Sequence, residues 1–244
     1  VPVLSHDTAC LLIHGLNGSP YDFDEVAQQL TALGYPATQV LLPGHDVQAR
    51  VASRYGWSDW VRTVETSFDR LAKQYRQVVV VGHSMGGALG LHLAARDPRV
   101  TAIATLCAPV TPPEGLRSIV QVGQYVMPFV PVVFEDIRDP VERRAYQRRK
   151  VTSWVSLAPI HTLFRALPTL RSALPRVRCP ALVLGARNDH VVSVRDAAYI
   201  YAEIGSQDKQ LYILNHSWHV VTRDVERHIV LAQLKAFLGR LAPA

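Results

Sequence analysis

A run of four valines, Val78 to Val81, leads directly into Gly82-His83-Ser84-Met85-Gly86-Gly87 and then into the helix-forming stretch Ala88 to Arg96. A β-branched run followed at once by a helix former leaves only a few residues in which to turn the chain. Glycines on both sides of Ser84 permit the close backbone packing that so sharp a reversal needs. A turn of this kind displays its central side chain at the end of a strand. A displayed serine hydroxyl becomes a nucleophile once a base removes its proton. The bland alternative is a small-residue turn that contains a serine by chance. The flanking strand and helix, both required by the nucleophilic geometry, favour the first reading.

The same alternation recurs along the chain. Ala9 to Ile13 predicts a strand, Asp22 to Leu33 a helix stopped by Gly34, and Pro36 to Leu41 another strand; Ser58 is expected to cap a helix reaching about Tyr75. Further strands are expected at Ala102 to Leu106, Ala181 to Leu184 and Gln210 to Leu214. The last helix is expected from about Thr222 to Leu241, with Val225, Ile229, Leu231, Leu234, Phe237 and Leu238 as its apolar stripe. Strands alternating with helices imply a mostly parallel, doubly wound sheet covered on both faces. Such a sheet carries its chemistry in loops at the carboxyl ends of the strands. One segment, about 109–168, breaks the pattern with prolines, large apolar residues and charges. It reads as a cap inserted into a single domain. Its apolar residues Val120, Tyr125, Val126, Met127, Phe129, Val130, Val133 and Phe134 either pack the cap onto the core or line an acyl pocket, and Met127 and Phe129 are candidates for the pocket.

Composition narrows the partners. With 244 residues, 48% of them hydrophobic and 19% charged, the chain is long enough for one filled core and short for two. The formal charge is only +6, and no Lys/Arg block is free of acids, so nucleic acid is not an expected partner. The densest basic stretch, Arg138 to Lys150, contains Asp139 and Glu142 and reads as a solvated helix face, with transient contact to an anionic lipid surface as the second reading. The longest apolar stretch, Ile119 to Phe134, is broken by Gly123, Pro128 and Pro131 and is too short to span a bilayer. Cys10, Cys107 and Cys179 are odd in number and lack metal or redox spacing. No signal-like segment is read at the start, and a cytoplasmic location is expected.

A serine nucleophile needs a base, an orienting acid, an oxyanion hole and a pocket. Of ten histidines, His219 is favoured, because it follows the last predicted strand by the short loop Asn215-His216-Ser217-Trp218. His216 is the rival for the base. The two could in principle share a metal, but no carboxylate or cysteine completes a set nearby, so neither metal nor cofactor is expected. The acid should leave a neighbouring strand, and Asp189 does so after Ala181 to Leu184 and a glycine turn; the loop Cys107-Ala108-Pro109 offers no carboxylate. Ser193, with Asp196 three residues on, should open the helix that follows. The oxyanion donors are expected to be the amides of Leu16, brought close by Gly15, and of Met85 beside the nucleophile. His14 is expected to order its loop. Gly15, Tyr21 and Phe23 are candidates for the substrate site, with core packing the alternative for the two aromatics.

In that order, Ser84, Asp189 and His219 resemble the catalytic set of the α/β-hydrolase superfamily. The likeness is carried by His14-Gly15-Leu16-Asn17-Gly18, Leu42-Pro43-Gly44-His45, Gly82 to Gly87 and the Asp189 and His219 loops, which span nearly the whole chain. It is nearest to small bacterial carboxylesterases and monoacylglycerol lipases with a compact cap. Trp218, where relatives carry a small residue, and Asp46, where many carry a second glycine, depart from the pattern. The resemblance implies a serine ester hydrolase whose substrate is a small ester with an apolar acyl group. A thioesterase, an amidase, an acyl transferase to a nucleophile other than water, or a non-catalytic ligand-binding protein on the same scaffold remain as alternatives.

Overall fold

The computed structural model describes residues 7–113, 115–132 and 135–241. Its elements run β1 (Thr8–Ile13), α1 (Asp24–Ala32), β2 (Ala37–Val40), α2 (Ala49–Ala52), α3 (Trp57–Ala72), β3 (Gln77–His83), α4 (Met85–Ala94) and β4 (Val100–Leu106). They continue as α5 (Leu116–Val126), β5 (Phe129–Pro131), α6 (Pro140–Arg149), β6 (Trp154–Ser156), α7 (Leu157–Ala173), β7 (Ala181–Ala186), α8 (Val194–Glu203), β8 (Lys209–Leu214) and α9 (Arg227–Leu241). Six strands form one parallel sheet in the order β2-β1-β3-β4-β7-β8, while β5 and β6 pair separately as an antiparallel hairpin.

The valine run explains why the sheet is covered on both faces. Along β3, Val78 and Val80 pack into the cluster beneath α3, α4, α7 and α8, whereas Val79 and Val81 pack into the cluster beneath α1 and α9. Successive strand side chains point to opposite faces, so a strand with both faces buried must be apolar throughout. Each such valine contributes about 1.5–3 kcal/mol by leaving water. β3 lies at the centre of the sheet and ends at Ser84, and loops from its neighbours converge there.

Three local expectations are corrected. Helix α3 begins at Trp57 and its N-cap is Gly56, whose amide donates to the Asp59 carboxylate at 3.1 Å, so Ser58 lies inside the first turn. Helix α9 begins at Arg227 rather than near 222, because the acids before it are used elsewhere. Glu226 accepts the amides of Asn215, His216 and Ser217 at 3.2, 2.8 and 2.7 Å, and Asp224 accepts that of Trp218 at 2.6 Å. Consequently Val225 is partly exposed, and the buried stripe of α9 is Val230, Leu234, Phe237 and Leu238. Finally, Ser193 does cap α8, accepting from the Arg195 amide at 3.3 Å, but Asp196 does not complete a capping box. It accepts the amides of Val110 and Thr111 at 2.9 and 3.1 Å and pins the loop after β4.

Between β4 and β7 the chain runs through α5, β5, α6, β6 and α7. Leu163, Leu167 and Leu170 seat α7 in the core as the crossover helix. Helix α5 is built the other way round: Val120 is its buried residue, while Ile119, Val122, Tyr125 and Val126 face solvent. No described helix is long and apolar enough to cross a membrane.

Candidate active site

Ser84 stands between β3 and α4 with φ 53° and ψ −124°. A non-glycine residue at positive φ is strained, and it persists only where its surroundings over-determine it. Here the surroundings do so through glycine. A side chain at Gly86 would run into the carbonyl of Ile13, and one at Gly82 into the carbonyl of Gly86. The turn is as tight as the chain permits, and it leaves the Ser84 hydroxyl facing the carboxyl end of the sheet.

His219 reaches that point from the loop after β8, with its Nε2 2.8 Å from Ser84 Oγ. Its other ring nitrogen, Nδ1, lies 2.7 Å from Asp189 Oδ2 in the loop after β7. Asp189 Oδ1 accepts the amides of Val191 and Val192, each at 2.8 Å. Burial pushes the Asp189 carboxyl up, but the facing imidazole and these amides outweigh it and hold the acid below its ordinary range. An ionised Asp189 fixes the proton on Nδ1 and leaves Nε2 free to accept from the hydroxyl. His216, the rival for the base, is exposed, and its carbonyl accepts from Arg138 at 2.9 Å.

Two further histidines order the backbone. The His83 ring donates through Nε2 to the carbonyl of His219 at 2.9 Å. The His14 ring donates to the Gly15 carbonyl at 2.8 Å and accepts the Leu42 amide at 3.2 Å. Burial pulls both down to about 3, so they stay neutral and serve as hydrogen-bonding props. In the loop after β1, Gly15 lies so close that an added Cβ would stand 3.0 Å from Ser84 Cβ. Leu16 follows at the cavity wall, and Met85 opens α4, where first-turn amides have no partner inside the helix. Cys107, Asp189 and His219 bring ligand-type atoms together, yet burial raises the Cys107 thiol far above its ordinary range and it hydrogen-bonds Asp189.

The family model described as serine aminopeptidase, S33, matches residues 5–226. The chain belongs to this family. It is 29% identical to a thermostable monoacylglycerol lipase of Bacillus sp. (strain H-257), over 95% of this chain and 90% of that one. It is 26% identical to a carboxylesterase of Bacillus subtilis (strain 168), over 96% and 94%. A solved structure from work on two metagenome-derived lipolytic enzymes superposes with a TM-score of 0.89 at 26% identity, covering 96% of this chain and 94% of that one. The family description and these relatives name different bonds, peptide and ester, and the site geometry up to this point serves either.

The cavity of this S33-family protein has a volume of about 530 Å³ and reaches from Ser84 and His219 up to the cap. Its apolar wall comes from Leu16, Leu116, Ile160, Leu163, Phe164 and Val192, and that volume is within the usual range for small-molecule sites, about 300–1,000 Å³. The residues expected from sequence divide sharply. Gly15 and Leu16 line the cavity. Phe23 does not: it is 1% exposed and packs in the core under the sheet. Tyr21 lies to one side, its ring under the Arg223 guanidinium at 3.6 Å and 6.1 Å from Tyr146. Met127 is exposed at the end of α5, and Phe129 is paired with Ser156 in the hairpin. Val120 and Val130 pack on the core, Tyr125 and Val126 face solvent, and Val133 and Phe134 lie outside the described residues.

Asp22, Glu135 and Asp136 also line the cavity, and the sequence singles out none of them; Asp22 and Asp136 are the two with partners near the site. Asp22 is buried with Tyr146 as its hydrogen-bond partner; burial pushes it up to about 7, against the pull of that bond and of Arg223. Asp136 is buried at the cap side and accepts the amides of both His190 and His219. The only sequence signal for either was an acid beside an apolar run, which is also the signal of a solvated loop.

Proposed function

We propose that the protein is a serine carboxylic-ester hydrolase of the carboxylesterase and monoacylglycerol lipase type, with Ser84 as nucleophile, His219 as general base and acid, and Asp189 as the orienting acid. One observation carries the reading: an unbroken hydrogen-bonded line from Ser84 Oγ through His219 to Asp189, at 2.8 and 2.7 Å, on the floor of an apolar cavity. Ser84 attacks the ester carbonyl as Nε2 of His219 takes its proton, and Asp189 stabilises the imidazolium. The amides of Leu16 and Met85 hold the oxyanion, each worth about 3 kcal/mol in the transition state. His219 then protonates the departing alcohol, and water, activated by the same imidazole, frees the acyl group from Ser84.

The relatives' names favour an ester, and so does the wall of Leu116, Ile160, Leu163 and Phe164, which suits an acyl chain better than a peptide. The substrate is proposed to be a monoacylglycerol or a similar ester with an apolar acyl group. The outward face of α5, with Ile119, Val122, Tyr125 and Val126, supports a transient contact with the lipid surface that holds such esters. A cytoplasmic site of action accords with the free Cys10, Cys107 and Cys179.

Turnover of matched oxygen ester, thioester and amide substrates tests the reading. The expected order is ester first, with a fluorophosphonate labelling Ser84. Preference for the amide would favour the aminopeptidase chemistry of the family description, and absence of labelling would favour a ligand-binding scaffold.

A further inference from the structure

Asp136 lies beyond β5 on the cap side of the cavity, with a side chain only 5% exposed. A single oxygen, Oδ2, accepts the His219 amide at 3.2 Å and the His190 amide at 3.0 Å. His190 is the residue next to Asp189, so one carboxylate oxygen joins the loop carrying the base to the loop carrying the acid. Its other oxygen, Oδ1, lies 2.6 Å from His190 Nδ1, and its backbone carbonyl accepts the Val220 amide at 3.1 Å. The segment continues beside the His219 loop: Arg138 donates to the His216 carbonyl at 2.9 Å, and the Asp139 amide donates to Asp224 at 2.8 Å.

We infer that Asp136 is a positioning residue for the reaction: a cap carboxylate that sets the Asp189 loop against the His219 loop and whose charge favours the imidazolium formed when Ser84 gives up its proton. This rests on the roles proposed above for Ser84, His219 and Asp189. A tie made only for stability has no need to reach both loops through one atom. Asp224, which also grips the His219 loop, holds Trp218 and the cap but has no bond to the Asp189 loop among the described residues. The charged and titratable groups around Asp136 are His190 and Asp189 after β7, His219 after β8, Cys107 after β4, and its neighbour Glu135, which is paired with Lys150 at 2.5 Å. His190 is half exposed and is the one cation-forming group in contact with the Asp136 carboxylate among the described residues.

The test is kcat per active site on a short aryl ester across the pH range, with sites counted by the fluorophosphonate burst. In D136N, kcat per site is expected to fall about ten-fold, since small misplacements of catalytic groups cost that much or more. KM is expected to change less than kcat, because the apolar wall that receives the acyl group is unaltered. The acid limb of kcat should move about half a pH unit lower, since one negative charge bonded to the His219 main chain is gone. A purely structural tie would lower the number of titrated sites and leave both per-site quantities where they were, and that result overturns the inference. Should D136N not fold, H190A replaces it: with the cation-forming partner of Asp136 removed, the acid limb is expected to move to higher pH, and no movement overturns the inference. Failure of the wild-type protein to label at all is a different outcome, which removes the serine-esterase reading itself.

Discussion

The floor and the roof of the cavity are built on opposite terms. On the floor, Ser84, Asp189 and His219 leave β3, β7 and β8 of the one parallel sheet, their side chains are buried, and hydrogen bonds join Ser84 to His219 and His219 to Asp189. On the roof, α5 turns Tyr125 and Val126 to solvent at 82% and 79% exposure, and α6 carries Arg143, Arg144, Arg148 and Arg149. The sheet edge holds atoms to a fraction of an ångström because strands buried on both faces cannot shift without opening the core. The cap has no such constraint. On the reading proposed above, reaction chemistry belongs to the floor, with Asp136 reaching down to it from the cap, and choice of substrate to the roof.

The comparison breaks most visibly if floor and roof substitutions prove interchangeable. S84A should lower kcat on a short aryl ester by about 10⁵-fold or more, as loss of a triad nucleophile does elsewhere, and fluorophosphonate labelling should disappear. D189N should cost about 10⁴-fold, because an amide in place of the carboxylate no longer fixes the His219 tautomer. On the roof, L163W should narrow the acyl wall and lower kcat/KM for long-chain esters about 10- to 100-fold relative to acetate esters, the scale of hydrophobic-pocket discrimination. A uniform loss across chain lengths would mean that α7 supports the fold and does not select substrate.

Smaller again is the effect expected at α5. The double substitution V122D/V126D should reduce cosedimentation with anionic vesicles several-fold, since side chains resting at a lipid surface recover only a fraction of the roughly 1.5–3 kcal/mol of full burial. Turnover of a water-soluble ester should stay at the wild-type level. The smallest effect is on stability. Asp22, held up at about 7 by burial, binds its proton more tightly folded than unfolded, so its contribution is full at low pH and is lost as pH rises through about 7. Buried His14, His45 and His83, all pulled down by burial, act in the opposite sense and lose theirs as pH falls below the ordinary histidine range. Measured against D22N, which shares those histidines, the wild-type Tm should fall by several degrees between about pH 5 and about pH 8. A constant difference would mean that Asp22 is already ionised in the fold.

The floor was far more legible in the sequence than the roof, for a physical reason. Val78 to Val81 has one use, a strand buried on both faces, and each loop that leaves such a strand is short enough to count residues to Asp189 and His219. The roof gives no such ruler. Met127 and Phe129 have the composition of a pocket wall, yet α5 presents its apolar side outward and the wall comes from Ile160, Leu163 and Phe164 on the crossover helix. Phe23 illustrates a further ambiguity, since an aromatic near a site packs as readily beneath the loop as beside the substrate. The start of α9 was misplaced because Asp224 and Glu226 look like first-turn acids but bind the amides of the preceding loop. Asp136 carries no periodic signal at all; its importance comes from partners more than fifty residues away.

His83 has one more consequence. It is covalently joined to Ser84 and bonded to the carbonyl of His219, so Ser84 and His219 are leashed twice, once through their side chains and once through the main chain. Because the ring donates through Nε2, which carries a hydrogen in the neutral and the protonated ring alike, acid alone does not untie the leash.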